Sequence, residues 1–514
     1  MKILHGGTLL ATLLLAACSE PIEPTPIESA ETAAPLLLGQ PATAKPIDFS
    51  VPPHPYMSAQ GVNAMHGDGY SSDVHPGGGP LGVDVQRRSR VGTVMPGGQC
   101  ATVTFDSEGR IVALCAALTG FNIHLLEPRS LNLLAEYNLP IRPSTYDAFL
   151  HADKSKIMQD SSGAYFYLDE QDRVVMAASD QTIRRISHQQ DEQGRWSFTL
   201  EDSWDLSDDV PHDCTSLTNW SPEGECDPIT AVMPDHEGYI WWVTRRGRIG
   251  TLDPDSGEVR GMQLAGEEIQ NGFSVAADGV YVVSDHAMYR FYSAANGEPK
   301  VGWRETYDRG TRRKVGTINQ GSGTTPTLLG EEYVTITDNA DGRMNLVVYH
   351  RQQDYQGERK ICSVPLFDNE HSVTDNSMIG FNRTIILENN AGYSSAFEQS
   401  DWSTAGGGIS RVDIRADDSG CDLVWTSQEH SPSVVPKVAA GNGLAYFYSF
   451  IPQQNGENAW YLTALDVETG KTQLKILTGS SSNFDNNWAP LTLGPDGTAY
   501  IGTFKGLVAI WDKS

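Results

Sequence analysis

DHEGYIWWVTRRGRIGTLDPDSGEV, residues 235–259, contains two strand–turn–strand passages in a row. An Asp-x-x-Gly turn leads into the β-rich run Tyr239–Thr244. A second turn, Arg245-Arg246-Gly247, returns the chain through Arg248–Leu252, and a third, Asp253 to Gly257, starts the next strand. Trp241 and Trp242 are adjacent in the first run, so their rings face opposite sides of a sheet, as expected of a strand packed on both faces.

The same unit recurs outward from this stretch. It is visible in DSEGRIVALC (106–115), SGAYFYLDEQDRVVMAASD (162–180), ADGVYVVSDHAMYRFYSAANGE (277–298) and GEEYVTITDNADGRMNLVVYH (330–350). Towards the C-terminus it returns as FNRTIILENN (381–390) with GISRVDIRADDSGCDLVW (408–425), then GLAYFYSF (443–450) with YLTALDVETGKTQLKI (461–476), and PDGTAYIGTFKGLVAIWD (495–512). Short β-rich segments separated by turn residues at this spacing predict an all-β chain, a single β-propeller of four-stranded blades. The count gives eight blades, with seven as the alternative. The last unit runs out after two strands near Trp511, and VDVQRRSRVGTV (83–94) is the natural N-terminal strand to close the ring. The propeller then spans 83–514, preceded by a lead-in segment over 56–82.

LDVETGKTQLKI (465–476) and LDPDSGEV (252–259) resemble the strand–turn–strand repeat of the quinoprotein-like (PQQ-like) β-propellers, with Asp466, Thr469 and Gly470 shaping the turn. The resemblance spans most of the chain and implies architecture more than chemistry. Dehydrogenases of that group place a vicinal cysteine pair against the quinone. This chain has no Cys-Cys, which argues against bound PQQ and an oxidoreductase role.

Lys2 and the apolar run Thr8–Ala17 read as an export signal over 1–17, too short for a spanning helix. The run ends in Leu15-Ala16-Ala17-Cys18, which resembles a bacterial lipobox. That resemblance implies lipidation at Cys18, and Ser19 implies forwarding to the outer membrane, with the body facing the periplasm. Pro, Ala, Thr and Glu dominate residues 19–55, so 18–55 reads as the lipidated terminus and a flexible tether. Six cysteines follow, an even number suited to disulfides in an exported chain. Cys100 and Cys115 are equidistant from a hairpin tip at Ser107-Glu108-Gly109, Cys214 and Cys226 close a short loop, and Cys362 is left with Cys421.

With 65 acidic and 37 basic residues the chain carries a formal charge of −28. Nucleic acid is therefore excluded as a partner, since duplex binding needs a cationic surface. If strands run A to D from the channel outward, the B–C and D–A loops emerge on one face. That face collects Asp285-His286, Asp338-Asn339, Glu388-Asn389-Asn390, His212-Asp213, Asp375-Asn376 and Asp485-Asn486-Asn487 with Trp488. Carboxylate and amide oxygens suit Ca²⁺ or Mg²⁺, or a small polar ligand. The same residues are also favoured in turns because they bond their own backbone.

Arg245 follows a B strand and offers a guanidinium to an anion on that face. In NAMHGDGYSSDVHPGGGP (63–80), His66, Asp68, Asp73 and His75 read either as a metal-binding plug over the channel or, preferred because no ligand spacing is matched, as a solvent-exposed lead-in loop. Function reads first as a ligand-binding or scaffolding lipoprotein of the cell envelope, with envelope proteins or a small polar ligand as partners. The alternative is a metal-dependent, lactonase-like hydrolase using Glu388, Asn390, Asn339 and Asp485.

Overall fold

A computed structural model describes residues 37–513, apart from residue 61 and residues 92–97, 118–119, 154, 159 and 395–406. Cys18, the signal segment and the tether as far as residue 36 lie outside the described residues. Eight antiparallel blades of four strands form the ring, over residues 100–138, 167–205, 229–263, 274–306, 327–365, 379–427, 437–480 and 491–512. Blade 8 supplies three strands from the C-terminus, Leu491–Leu493, Ala499–Thr503 and Gly506–Asp512, where the repeat suggests two. Its outermost strand is Val85–Val91, paired with Gly506–Asp512 from Val85↔Asp512 to Val91↔Gly506. The ring is closed by the strand that the sequence offers for it.

Burial follows position in the blade. The B strands Ile240–Thr244, Tyr333–Thr337 and Ala499–Thr503 are buried throughout, while the D strand Trp196–Asp205 alternates towards solvent. Inner strands pack between two neighbouring blades, and outer strands meet a neighbour on one side at most. Blades 1 and 2, for example, share an apolar layer of Val112, Leu114, Ile123 and Leu125 with Leu168, Val174 and Met176. Trp241 and Trp242 are both buried. The Trp242 ring lies over Gly250, where a Cβ would fall 2.2 Å from it, so the neighbouring strand must be glycine there.

The turns that open on an aspartate are built alike. Asp106 accepts the backbone N–H groups of Glu108 and Arg110 on one oxygen and Arg110 Nε on the other. Asp169 does the same for Gln171, Arg173 and Arg173 Nε, and Asp235 for Glu237, Tyr239 and Trp241 Nε1. Asp466 caps its turn through the Thr469 N–H and hydroxyl, with Gly470 at φ +67°. The disulfides join Cys100–Cys115, Cys214–Cys226 and Cys362–Cys421. Cys100 and Cys115 are directly paired across two strands, and Cys362–Cys421 ties the outer strands of blades 5 and 6.

The segment before the ring departs from expectation. From Leu37 the supposed tether is part of the folded body: Leu37–Gly39 adds an edge strand to blade 7, and Lys45 pairs with Asp466 at 2.8 Å. The chain then passes under the A–B turns. Asp48 accepts from Asn382 of blade 6, His54 meets His236 of blade 3 edge-on, Ser58 bonds Asp172 of blade 2, and Gln60 reaches Ser107 of blade 1.

Residues 62–75 then enter the bore, where all are buried. Their carbonyls accept backbone N–H groups from the innermost strands around the ring. Val62 accepts from Phe105, Asn63 from Leu168, Gly69 from Val275, Tyr70 from Leu328, Ser72 from Gly380, Asp73 from Val438 and His75 from Ala440. The exposed lead-in loop preferred from sequence is therefore wrong, and the plug geometry is right. An innermost strand presents an unpaired edge to the bore, and this segment supplies its partners.

Candidate functional site

Inside the bore the plug carries a closed charge network. Lys437, on the first strand of blade 7, contacts Asp73 Oδ1, and His66 Nδ1 lies 3.1 Å from Asp73 Oδ2. His66 Nε2 is 3.3 Å from Ser377 Oγ, which in turn accepts the Thr325 N–H. The order Ser377–His66–Asp73 has the connectivity of a nucleophilic triad. All three side chains are buried, however, and Asp73 is neutralised by Lys437. The network fastens plug to ring. Asp68 shapes the plug itself, accepting the N–H groups of Tyr70 and Ser72 and the Ser72 hydroxyl, and burial raises its carboxyl to about 6.

The B–C and D–A loops share one face, and several residues selected from sequence meet there. Asp375 accepts Gln270 Nε2 at 2.7 Å, across blade 5's leading loop, and burial raises it to about 6. Glu388 accepts Asn376 Nδ2 at 2.5 Å, and burial holds it well above the usual carboxylate range. Asp375 Oδ1 and Glu388 Oε2 are buried with no hydrogen-bond partner among the described residues, and this desolvation is the main cause of both upward shifts. Asp485 accepts the Tyr393 hydroxyl at 2.8 Å and the Asn487 N–H, and burial raises it to about 6. Trp488 stacks edge-on against Tyr393 rather than walling the bore.

The acid–amide pairs bind their own and neighbouring loops. Asp338 accepts the N–H groups of Ala340 and Asn345 and the Asn345 amide, while Asn339 donates to the carbonyls of Arg309 and Arg312. Asn390 accepts the N–H of Asp375 and donates to Pro432 O, and Asn487 donates to Gln99. Glu388, Asn390, Asn339 and Asp485, the expected hydrolase ligands, are held by these separate partners. Among the described residues no three His, Cys, Asp or Glu side chains stand together as a metal-holding group. Asp285 and His286 are bound together by Arg309. Arg309 donates to His286 Nε2 at 2.7 Å and to Asp285 at 2.7 Å, so the His286 proton sits on Nδ1, facing Asp285 at 2.8 Å.

Two clefts open on this face. One of about 890 Å³ is lined by Pro140, Tyr146, Gln181, Val210 and His212; the other, of about 530 Å³, by Leu150, Asp213, Trp220, Arg245 and Arg246. Their walls include the helix Pro143–His151 and the loop closed by Cys214–Cys226. His212 is exposed at the rim, and Asp213 is engaged by Asn219 and the Gly224 N–H. Sequence reasoning selected His212, Asp213 and Arg245 here, but missed Trp220 and the helix, whose only signal is Pro143 opening a short amphipathic run. It also missed Lys437, a lone lysine heading an otherwise apolar strand.

No protein-family model matches the chain, and no curated protein matches it. Solved structures to which it is similar include Sqt1 from Chaetomium thermophilum, with 11% identity and a TM-score of 0.45 over 89% of this chain and 100% of that one. A streptogramin B lyase shares 10% identity at a TM-score of 0.37, over 83% of this chain and 97% of that one. The computationally designed Ika8 protein shares 12% at 0.39, over 81% and 97%. At these values the architecture stands on the strand pairings themselves: the chain is an eight-bladed β-propeller whose bore is plugged by its own N-terminal segment.

Proposed function

We propose that the protein is an exported, lipid-anchored propeller that binds a small polar ligand on the face made by its B–C and D–A loops, as a binding or scaffolding protein of the cell envelope. One observation carries this reading: the bore is filled by residues 62–75, while the clefts open beside it between the loops joining blades 1, 2 and 3. Ligand sites favour such concave places, with apolar walls and a few convergent polar groups. Leu15-Ala16-Ala17-Cys18 supports the lipid anchor.

Two measurements test it. Replacing Cys18 with Ala is expected to abolish incorporation of radiolabelled fatty acid and release the protein from the membrane fraction. Equilibrium dialysis against a small-molecule extract of the envelope, read by mass spectrometry, is expected to retain a ligand. Retention of none, with no reproducible envelope partner in a pull-down, overturns the binding reading.

A further inference from the structure

Arg245 and Arg246 occupy the B–C turn of blade 3, and the turn is fixed from behind. Buried Asp227 accepts the Arg246 N–H at 2.8 Å, the Thr244 hydroxyl at 2.7 Å and Arg248 Nη1 at 2.7 Å. The Arg245 N–H reaches Pro228 O, its carbonyl accepts from Ile269, and Gly247 takes φ +78° to complete the turn. Arg245 and Arg246 both line the 530 Å³ cleft. Neither has a hydrogen-bonded carboxylate: Glu268 is 3.8 Å from Arg245 and Glu225 is 3.7 Å from Arg246, and Arg245 Nη1 is buried without a partner among the described residues.

The carboxylates in the same wall are committed elsewhere. Asp147 holds Lys156 at 2.6 Å, Asp160 accepts the Ser162 N–H beside Arg142, and Asp213 holds Asn219. In a chain of net charge −28, Arg245 and Arg246 are the arginines of this cleft's lining. Asp147 and Asp160 are offset by Lys156 and Arg142, and Asp213 is held by the Asn219 amide and the Gly224 N–H. Its remaining wall is apolar. Trp220 and Leu150 line it while 46% and 40% exposed, beside Pro143, Pro222 and Pro228. Trp220 thus lines the same cleft as two arginines whose carboxylate contacts, at 3.8 and 3.7 Å, are not hydrogen bonds, an arrangement that suits a flat molecule with an anionic end.

We propose that this cleft binds a small organic anion, a carboxylate or phosphate monoester, whose oxygens engage Arg245 and Arg246 and whose ring lies against Trp220. This rests on the ligand-binding reading above and names its ligand class. Forked donors match both oxyanions, and the volume suits a molecule of modest size.

The test is fluorine NMR of the full protein carrying fluorotryptophan, with the Trp220 resonance assigned from W220F. Benzoate and phenyl phosphate represent the two anion sources; inorganic phosphate, benzamide and benzylamine are the controls. Phenyl phosphate, benzoate or both are expected to shift the Trp220 signal saturably and to weaken as NaCl is raised. The double variant R245Q/R246Q, checked for an unchanged near-UV spectrum, is expected to bind at least tenfold more weakly. W220A, which lacks the reporter ring and is read by isothermal titration calorimetry beside wild type, is expected to bring phenyl phosphate down to the affinity of inorganic phosphate. Unchanged affinity in R245Q/R246Q overturns the proposal. A saturable shift with benzamide or benzylamine but neither ringed anion overturns the anion class and leaves the ligand-binding reading standing. Silence of Trp220 towards every probe overturns the cleft, and the dialysis experiment then judges the broader reading separately.

Discussion

Asp485 is a carboxylate whose folded environment disfavours its charge. Burial raises it from 3.8 to about 6, and Asp375 behaves alike. Between those two values the folded state keeps a proton that the unfolded chain has released, so this contribution to stability falls as pH rises through the window and stays low above it. Asn at 485 carries no such cost. The D485N protein is therefore expected to gain about 2–3 kcal/mol on wild type between pH 4 and pH 7. Urea unfolding at the two pH values checks it, and a constant difference contradicts it. Asp73 is the opposite case, a buried carboxylate that neutralises a buried lysine. D73N leaves Lys437 unpaired and is expected to cost about 3–5 kcal/mol, read from the urea midpoint. These roles were only half legible. Asp and Asn in loops announce turns, and Asp338 proves to be one, but which of them become buried depends on what packs over them.

At the scale of the element, the turns that open on an aspartate and the runs between them needed little beyond sequence. Asp106, Asp169 and Asp235 each bind N–H groups two and four residues ahead, so the turn is encoded within five residues. The cystine pairs were legible for a similar reason, since Cys100 and Cys115 are symmetric about one hairpin. The Cys362–Cys421 bridge closes 59 residues across two blades, against 12 for Cys214–Cys226. Chain-entropy scaling makes its loss the larger, about 4 kcal/mol against about 3. Comparing the thermal midpoints of C362S/C421S and C214S/C226S checks the order. The helix Pro143–His151 was missed because nine residues with one buried side chain carry little periodic signal.

For the whole molecule, two devices close the ring: the outer strand Val85–Val91, and the plug that satisfies the inner edges. They are separable. Deleting residues 37–82 keeps the closing strand but removes seven backbone bonds from inner strands to the plug. At about 1 kcal/mol each, the deletion is expected to cost about 5–7 kcal/mol and to open the bore to solvent. Hydrogen exchange is the direct measurement. Phe105, Leu168, Val275, Leu328, Gly380 and Val438 should lose protection together, while pairs within the outer strands keep theirs. Retained protection at those six amides would mean that the plug contributes nothing to the inner strands.

The sequence by itself determined the blades, the three cystines and the closing strand, because each follows from contacts between residues close in the chain or from one repeated unit. Only the tertiary structure decided the fate of 62–75. A run of Gly, Ser, His and Asp has the composition of an exposed loop, yet the inner strands leave open edges around one axis, and that segment is the length of backbone that meets six of the eight. It likewise decided that the acid–amide pairs bind their own and neighbouring loops while two arginines of one turn keep only long contacts to carboxylates. Hydrogen-bond competition among groups distant in sequence is settled only when the ring closes.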